Sequence, residues 1–381
     1  MKNKILFSVL ATILIFTANA EAEIVNIPDN VFKTYLLANT DINTNGDNEI
    51  QKSEAAAFTG TIDVTSTTPS KISDMTGLEA FTALTELKAR GNNLTTLDLS
   101  KNTALIKLNV QSNQLTSLDL SNNIHLEQLE CSYNQLTSLN ISANVALKSV
   151  NCGFNQISSI DVSNNTALAF LTVAENKTIS SLDVSNNTLL RYLSCYTNQL
   201  TSLDVSNNPA LEQLACGKNQ LSSLDISRNP ALFYLACFNN QLTSLNIANG
   251  NNHNFTTLNT TGNSGLDCIE VDDEDYSNTN WTGGSFTKDA SASFSESCNP
   301  LNINFTESTK PQFIVYPNPS NGLVHFSEKA NVQVVNAQGQ IIADKKNTNS
   351  FDFSNQPTSI YSIIFIDDLG KTIQQSKFTK E

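Results

Sequence analysis

The side chains of this 381-residue chain that could carry chemistry are few, and most recur at fixed intervals. Its histidines, His125, His253 and His325, stand apart, and none lies in a metal or nucleophile motif; there is no H-E-x-x-H, no G-x-S-x-G and no phosphate-binding glycine loop. The many serines occupy repeating positions with no histidine beside them, so an activated nucleophile is not expected and the chain reads as a non-enzyme. Cys131, Cys152, Cys195, Cys216 and Cys237 fall at one position of a recurring pattern, where a thiol serves as a small hydrophobe. In-register parallel strands would hold their Cβ atoms about 4.8 Å apart, outside the usual disulfide range, so free buried thiols are expected. Asp98, Asp119, Asp161, Asp183, Asp204 and Asp225 recur likewise, with Asn140 and Asn246 in the remaining rungs. Neighbouring carboxylates about 5 Å apart in water repel by roughly 0.8 kcal/mol. Hydrogen bonds from flanking Ser and Thr can offset this, and a structural column is expected ahead of a metal array. One further stretch, NTNGDNEIQKSE from Asn43 to Glu54, crowds side-chain oxygens together, which is the chemistry of a hard cation.

The element that must position these groups is a repeat. LEQLACGKNQLSSLDISRNPA, Leu211 to Ala231, has copies about every 21 residues from Leu84 onward, the signature of a solenoid. Each copy holds two halves of L-x-x-L-x-Φ-x-x-N, with Φ apolar: Leu211, Leu214, Cys216 and Asn219, then Leu221, Leu224, Ile226 and Asn229. Residues two apart on a strand point the same way, so each half-coil turns three apolar groups inward. Only stacked coils can enclose them. The Asn closing each half can satisfy backbone groups that the bend buries. These residues, as in LEQLECSYNQL at Leu126 and LRYLSCYTNQL at Leu190, resemble the leucine-rich repeat family. The second half, LTSLDLSNN, repeats the strand pattern where many family members have a helix, which implies a mainly β, weakly curved leucine-rich repeat solenoid. Full copies begin at Leu84, Leu105, Leu126, Leu147, Leu168, Leu190, Leu211 and Leu232, with a degenerate one from Phe255 and an incomplete one over residues 61–83. One extra residue in NKTISSL, Asn176 to Leu182, is expected to bulge at a turn.

The flanks set the context. The formal charge is −14 at pH 7, so the cationic footprint of a nucleic-acid binder is missing. Residues 1–20 read as a signal peptide, with a membrane anchor as the alternative, and no later stretch reads as a membrane helix. Val31, Phe32, Tyr35 and Leu36 have helical spacing, with Asp29 and Asn30 available to cap, giving a small helical N-terminal cap over residues 21–60. The Asn43 to Glu54 stretch resembles an EF-hand-like or dockerin-like calcium loop. The resemblance implies Asn43, Asn45, Asp47, the carbonyl of Glu49, and Glu54 as the ligand set, with Asn43 and Asn48 departing from the usual Asp and Gly. Weak calcium binding, on the order of 10⁻⁴ to 10⁻³ M, is the expectation, and a metal-free polar loop is the alternative.

Beyond the repeats, covering residues 61–267, Cys268 and Cys298 are expected to bridge in an exported chain and to close the end of the stack. Residues 268–299 resemble C-terminal caps of flavobacterial-type leucine-rich repeat proteins. A linker over 300–312 leads to residues 313–381. There Tyr316-Pro317-Asn318-Pro319, Gly322, the Asn336 to Gly339 turn and Gly370 to Lys377 resemble the C-terminal sorting domain of the type IX secretion system in Bacteroidetes. Ser359 departs from the Gly often found at its position. The resemblance implies a small β-sandwich, export through the type IX machinery, and a mature chain that is secreted or attached to the outer cell surface.

Comparing copies separates scaffold from surface. Outward residues of the second half-coil barely change, whereas those of the first run from Glu86, Lys88 and Arg90 to Tyr234, Ala236 and Phe238. Specific recognition requires variation at the contact, so the first half-coil face is assigned to a protein or glycan ligand. Aromatics gather on the later coils, and Phe170, Tyr192, Tyr196, Gly217, Tyr234 and Phe238 are the candidate site. Tyr196 and Phe238 would wall a groove over Gly217. The alternatives are that aromatics merely suit strands, and that the protein is a structural surface spacer without a specific ligand.

Overall fold

Three apolar side chains per half-coil need a neighbour on each side, and stacking supplies it. The computed structural model describes residues 23–66, 69–298, 313–337, 339–367 and 372–381, and divides into two units, Met1–Cys298 and Asn299–Glu381. The signal peptide and linker lie outside the described residues, as do Gly370 and one residue of the 336–339 turn. Among the described residues, no helix is long and apolar enough to cross a membrane.

In the first unit, one short strand from each coil joins an eleven-stranded parallel sheet running from Thr61–Asp63 through Glu86–Lys88 and the later coils to Phe286–Thr287. Equivalent residues face one another throughout: Leu87 pairs Leu108, Leu171 pairs Leu193, and Leu214 pairs Leu235. The incomplete repeat thus supplies a true strand, and the degenerate copy supplies Thr257–Asn259. The extra residue does bulge outside the sheet, since Phe170 still pairs Tyr192. It displaces one polar contact: Asn198 Oδ1 is buried without a partner, whereas its counterparts accept from a backbone N–H of the preceding coil.

Two columns of buried asparagines hold the bends. Asn155 Nδ2 donates to the carbonyls of Cys131 and Cys152, both at 3.1 Å, while its Oδ1 accepts from Leu136 N at 3.0 Å. Asn144 and its equivalents likewise donate to two carbonyls of the preceding coil. A solenoid bend points main-chain groups inward, and a side-chain amide with both donors and an acceptor is suited to pairing them.

The second half-coil departs from the strand reading. Ladder pairing there is confined to a four-stranded sheet of Ser223–Asp225, Ser244–Asn246, Cys268–Glu270 and Ser293–Ser295; earlier coils have the strand-like sequence without the strand. The aspartate column is organised coil by coil, each Oδ1 accepting from the backbone N–H two residues on, as in Asp119 from Ser121 at 2.9 Å and Asp204 from Ser206 at 2.9 Å. Hydrogen bonds from the hydroxyl and the backbone N–H of the same serine hold the carboxyls of Asp161 and Asp183 below their ordinary value, and the backbone N–H and then the hydroxyl do so for Asp98, Asp119 and Asp204.

Both ends are closed. Helix Asn30–Ala38 is capped by Asp29, whose carboxylate accepts from Val31 N and Phe32 N, and it buries Phe32 and Leu36; Val31, counted as an inward residue from its spacing, is exposed. At the other end, Trp281 packs among Phe255, Phe286 and Phe294, and a Cys268–Cys298 disulfide ties the last coil. Cys131, Cys152, Cys195, Cys216 and Cys237 are free and buried.

The second unit is antiparallel. Its long strand Leu323–Val335 pairs with Val315–Tyr316, Ile341–Asp352 and Ser359–Ile366, and Thr372–Lys380 extends the sheet beyond Ser359–Ile366. Register shifts after His325 and Ala330 let that one strand serve several partners, so the hydrogen bonding forms one continuous five-stranded sheet around a core that includes Phe326, Phe353, Phe365 and Phe378.

Candidate functional site

The variable face of the first half-coil is the outward face of the eleven-stranded sheet, as the alternation requires: the central strand leucines are buried and their neighbours on either side point out. Phe170 stands 46% exposed, Tyr192, Tyr196, Tyr234 and Phe238 are half-buried, and Gly217 is buried. Gly217 is a seat rather than an open floor. A Cβ added there would lie 2.7 Å from Phe238 Cε1, so the Phe238 ring lies over the glycine and fills the groove expected between Tyr196 and Phe238. Burial, together with the nearby Glu175, Tyr133 and Tyr192, pushes the Tyr196 phenol above its ordinary value. Tyr196 thus shares its surroundings with Glu175 and Tyr133, which the sequence reading left out.

Those residues form a column one position further along each coil: Ser112, Tyr133, Phe154, Glu175, Thr197, Lys218 and Asn239. All have positive φ, between 51° and 56°, with Gly91 and Gly262 at the ends of the series. Non-glycine residues seldom adopt this conformation. Here successive backbone bonds fix it, for example Tyr133 N to Gly153 O at 3.1 Å and Phe154 N to Ala174 O at 2.9 Å. Tyr133 and Phe154 consequently stack, with centroids 4.1 Å apart and planes 9° from parallel, and Tyr133 is 48% exposed. Two aromatics one repeat apart were visible in the sequence; strand alternation gave no reason to turn that position outward. Alongside, burial pushes the Glu130 carboxyl up despite a 2.9 Å hydrogen bond from Asn151 Nδ2. Ser132 Oγ is buried and has no hydrogen-bond partner.

The N-terminal loop brings together only part of its expected ligand set. Asn45 Nδ2 donates to Asp47 Oδ2 at 2.9 Å and to Gln51 Oε1 at 2.9 Å, and Gln51 Nε2 donates to Asp47 Oδ2 at 2.8 Å. Gln51 was not among the expected ligands. Asn43 Oδ1 accepts from Gly46 N, and the Glu49 side chain pairs with Lys33 at 2.7 Å. Glu54 does not bond the side chains of this cluster: its carboxylate accepts from Thr44 N, Thr44 Oγ1, Asn45 N and Gln51 N, closing a capping box on helix Lys52–Ala57. Partial burial pushes this carboxyl up, but the hydrogen bonds from Gln51, Thr44 and Asn45 outweigh it and leave it below its ordinary value. As placed, the five residues do not present a converging set of free oxygens, and calcium binding would require Glu54 to release its donors.

Residues 314–380 match the family of the secretion system C-terminal sorting domain. No curated protein matches the sequence significantly. Among solved structures, the functional domain of InlJ from Listeria monocytogenes, described as including a cysteine ladder, is 23% identical; the match covers 93% of this chain and 97% of that one, with a TM-score of 0.53. An internalin, InlF, from Listeria monocytogenes strain 4b F2365 is 21% identical over 64% of this chain and 84% of its own, with a TM-score of 0.49. A leucine-rich repeat protein of Leptospira interrogans is 23% identical over 55% of this chain and 54% of its own, with a TM-score of 0.46. At this identity the first likeness establishes the fold of the solenoid, while the sorting domain establishes that the chain is addressed to type IX secretion. The chain thus joins a solenoid with the fold of leucine-rich repeat proteins to a C-terminal segment that matches the secretion sorting domain.

Proposed function

We propose that the solenoid is a non-catalytic recognition module that engages a protein or glycan outside the cell through the outward face of its eleven-stranded sheet. The observation that carries this is the distribution of rings: Tyr133, Phe154, Phe170, Tyr192, Tyr196, Tyr234 and Phe238 all lie on that face, in a chain whose aromatic content is only 7%. The opposite half-coil repeats the same Ser and Asp from rung to rung. A spacer needs no such asymmetry, whereas aromatics that combine an apolar body with a polar tip are frequent hot-spot residues.

The test is a steric block rather than an aromatic deletion, because it does not depend on which ring binds. Thr172→Arg places a long cation in the middle of the strand face, while Asp183→Arg does so on the other half-coil. Screened against arrayed proteins and glycans, the wild-type chain is expected to bind a member that Thr172→Arg loses and Asp183→Arg keeps. Equal binding by both variants, or loss in Asp183→Arg alone, removes the strand face from consideration.

A further inference from the structure

The aromatic stack on the strand face has a free end. Tyr133 and Phe154 come from adjacent coils and lie parallel, so their ring normals run along the stack of coils and the outer face of Tyr133 looks towards the preceding coil. There the equivalent position is Ser112, and one coil further it is Gly91. With rungs about 4.8 Å apart, Ser112 leaves roughly 5 Å of shelf beside the exposed ring, bounded at Gly91 by the Ser66 carbonyl and by Lys71, whose Nζ donates to Gly91 O. Around that shelf stand Arg90 and Gln111, whose side chains have no partner among the described residues, and Glu130, whose carboxylate takes one hydrogen bond, from Asn151. The buried Ser132 Oγ beside Tyr133 is unpaired as well.

We propose that the free face of Tyr133 is the platform for a pyranose ring of a neutral glycan, with Gln111, Arg90 and Glu130 hydrogen-bonding its hydroxyls. This rests on the strand-face reading above and names the ligand class and its place. A guanidinium only donates, a carboxylate only accepts and an amide does both; a ring bearing several hydroxyls satisfies all three at once. Opposite charges on one small shelf disfavour a strongly acidic or basic ligand, because each would meet a like charge. The flat face, with its apolar body and small floor, suits the C–H face of a sugar.

The full chain is titrated calorimetrically with neutral hexasaccharides of glucose, mannose, xylose and N-acetylglucosamine, and with an oligouronate. Tyr133→Asn removes the ring with little backbone strain, since Asn239 already occupies the equivalent left-handed position in a later coil (φ 51°). The expected result is that one neutral saccharide binds the wild type, that Tyr133→Asn weakens it about tenfold or more, and that Asp183→Arg, on the other half-coil, binds as the wild type does. An unchanged melting temperature shows that the variants are folded. The proposal is overturned if no neutral saccharide binds, if only the oligouronate does, or if Tyr133→Asn binds normally. A protein ligand blocked by Thr172→Arg, with no saccharide bound, would leave the strand face standing and remove the glycan.

Discussion

The column of cysteines shows how a repeat position dictates the chemistry of a residue. Cys131, Cys152, Cys195, Cys216 and Cys237 sit where Val110 and Val173 sit in other coils, wholly buried, and act there as hydrophobes. Burial pushes the thiols of Cys152, Cys195 and Cys237 up to about 12, and those of Cys131 and Cys216 well above their ordinary value. An unfolded thiol titrates near 8.5, so the unfolded chain loses protons first as pH rises. The stability that the neutral thiols contribute is therefore complete below about pH 8.5 and declines as pH climbs towards about 12. The urea midpoint of the wild type should fall between about pH 8 and about pH 10.5, and replacing all five cysteines by valine, the residue their column already tolerates, should flatten that fall. Parallel pH profiles would show that the alkaline sensitivity lies elsewhere.

Among elements, the loop and helix at the N-terminal end separate a capping role from a metal-binding one. Glu54 closes helix Lys52–Ala57 through a reciprocal capping box and ties down the backbone of Thr44 and Asn45. Losing a cap costs about 0.5–2 kcal/mol. Glu54→Ala should therefore lower stability in chelator and in millimolar calcium alike, as measured by denaturant melts of the N-terminal region. The calcium reading expects something different: calcium should stabilise the wild type, by an amount growing with the logarithm of its concentration, and leave Glu54→Ala unmoved. The same carboxyl has a lowered folded value, so its contribution is present above the ordinary carboxylate range and is lost as pH falls through that lowered value.

For the whole molecule, the division at Cys298 has a functional meaning. The solenoid core runs from Val25 through Phe294 among the described residues, and the sorting domain has a core of its own. Removing residues 313–381 should leave a solenoid that melts as the full chain's solenoid does but is no longer displayed at the surface, because the segment matching the sorting family is gone. Fractionation of a host with type IX machinery checks this, and surface display of the truncated chain would refute the export role. The His125 side chain, exposed at a bend, and His253, packed against Tyr276 at 4.0 Å, take no part in the strand face.

The repeat period, the inward leucines and the two asparagine columns could be read directly from the sequence, because each coil poses the same local problem: three apolar groups to bury and a bend whose main chain must be paired. The disulfide was legible for a related reason, since Cys268 and Cys298 alone stood outside the repeat position. What the sequence left open was decided between coils. Closely similar second halves became strands only in the last coils, since a ladder depends on the spacing to a neighbour as well as on propensity. Phe238 filled the space above Gly217 because a ring leans onto whatever the adjoining rung leaves low. Glu54, at a ligand's spacing, capped a helix instead, because unpaired N–H groups of the loop lay within its reach. Tyr133 and Phe154 turned outward and stacked because inter-coil hydrogen bonds hold their backbones left-handed, a conformation that no pattern of apolar residues along one strand could announce.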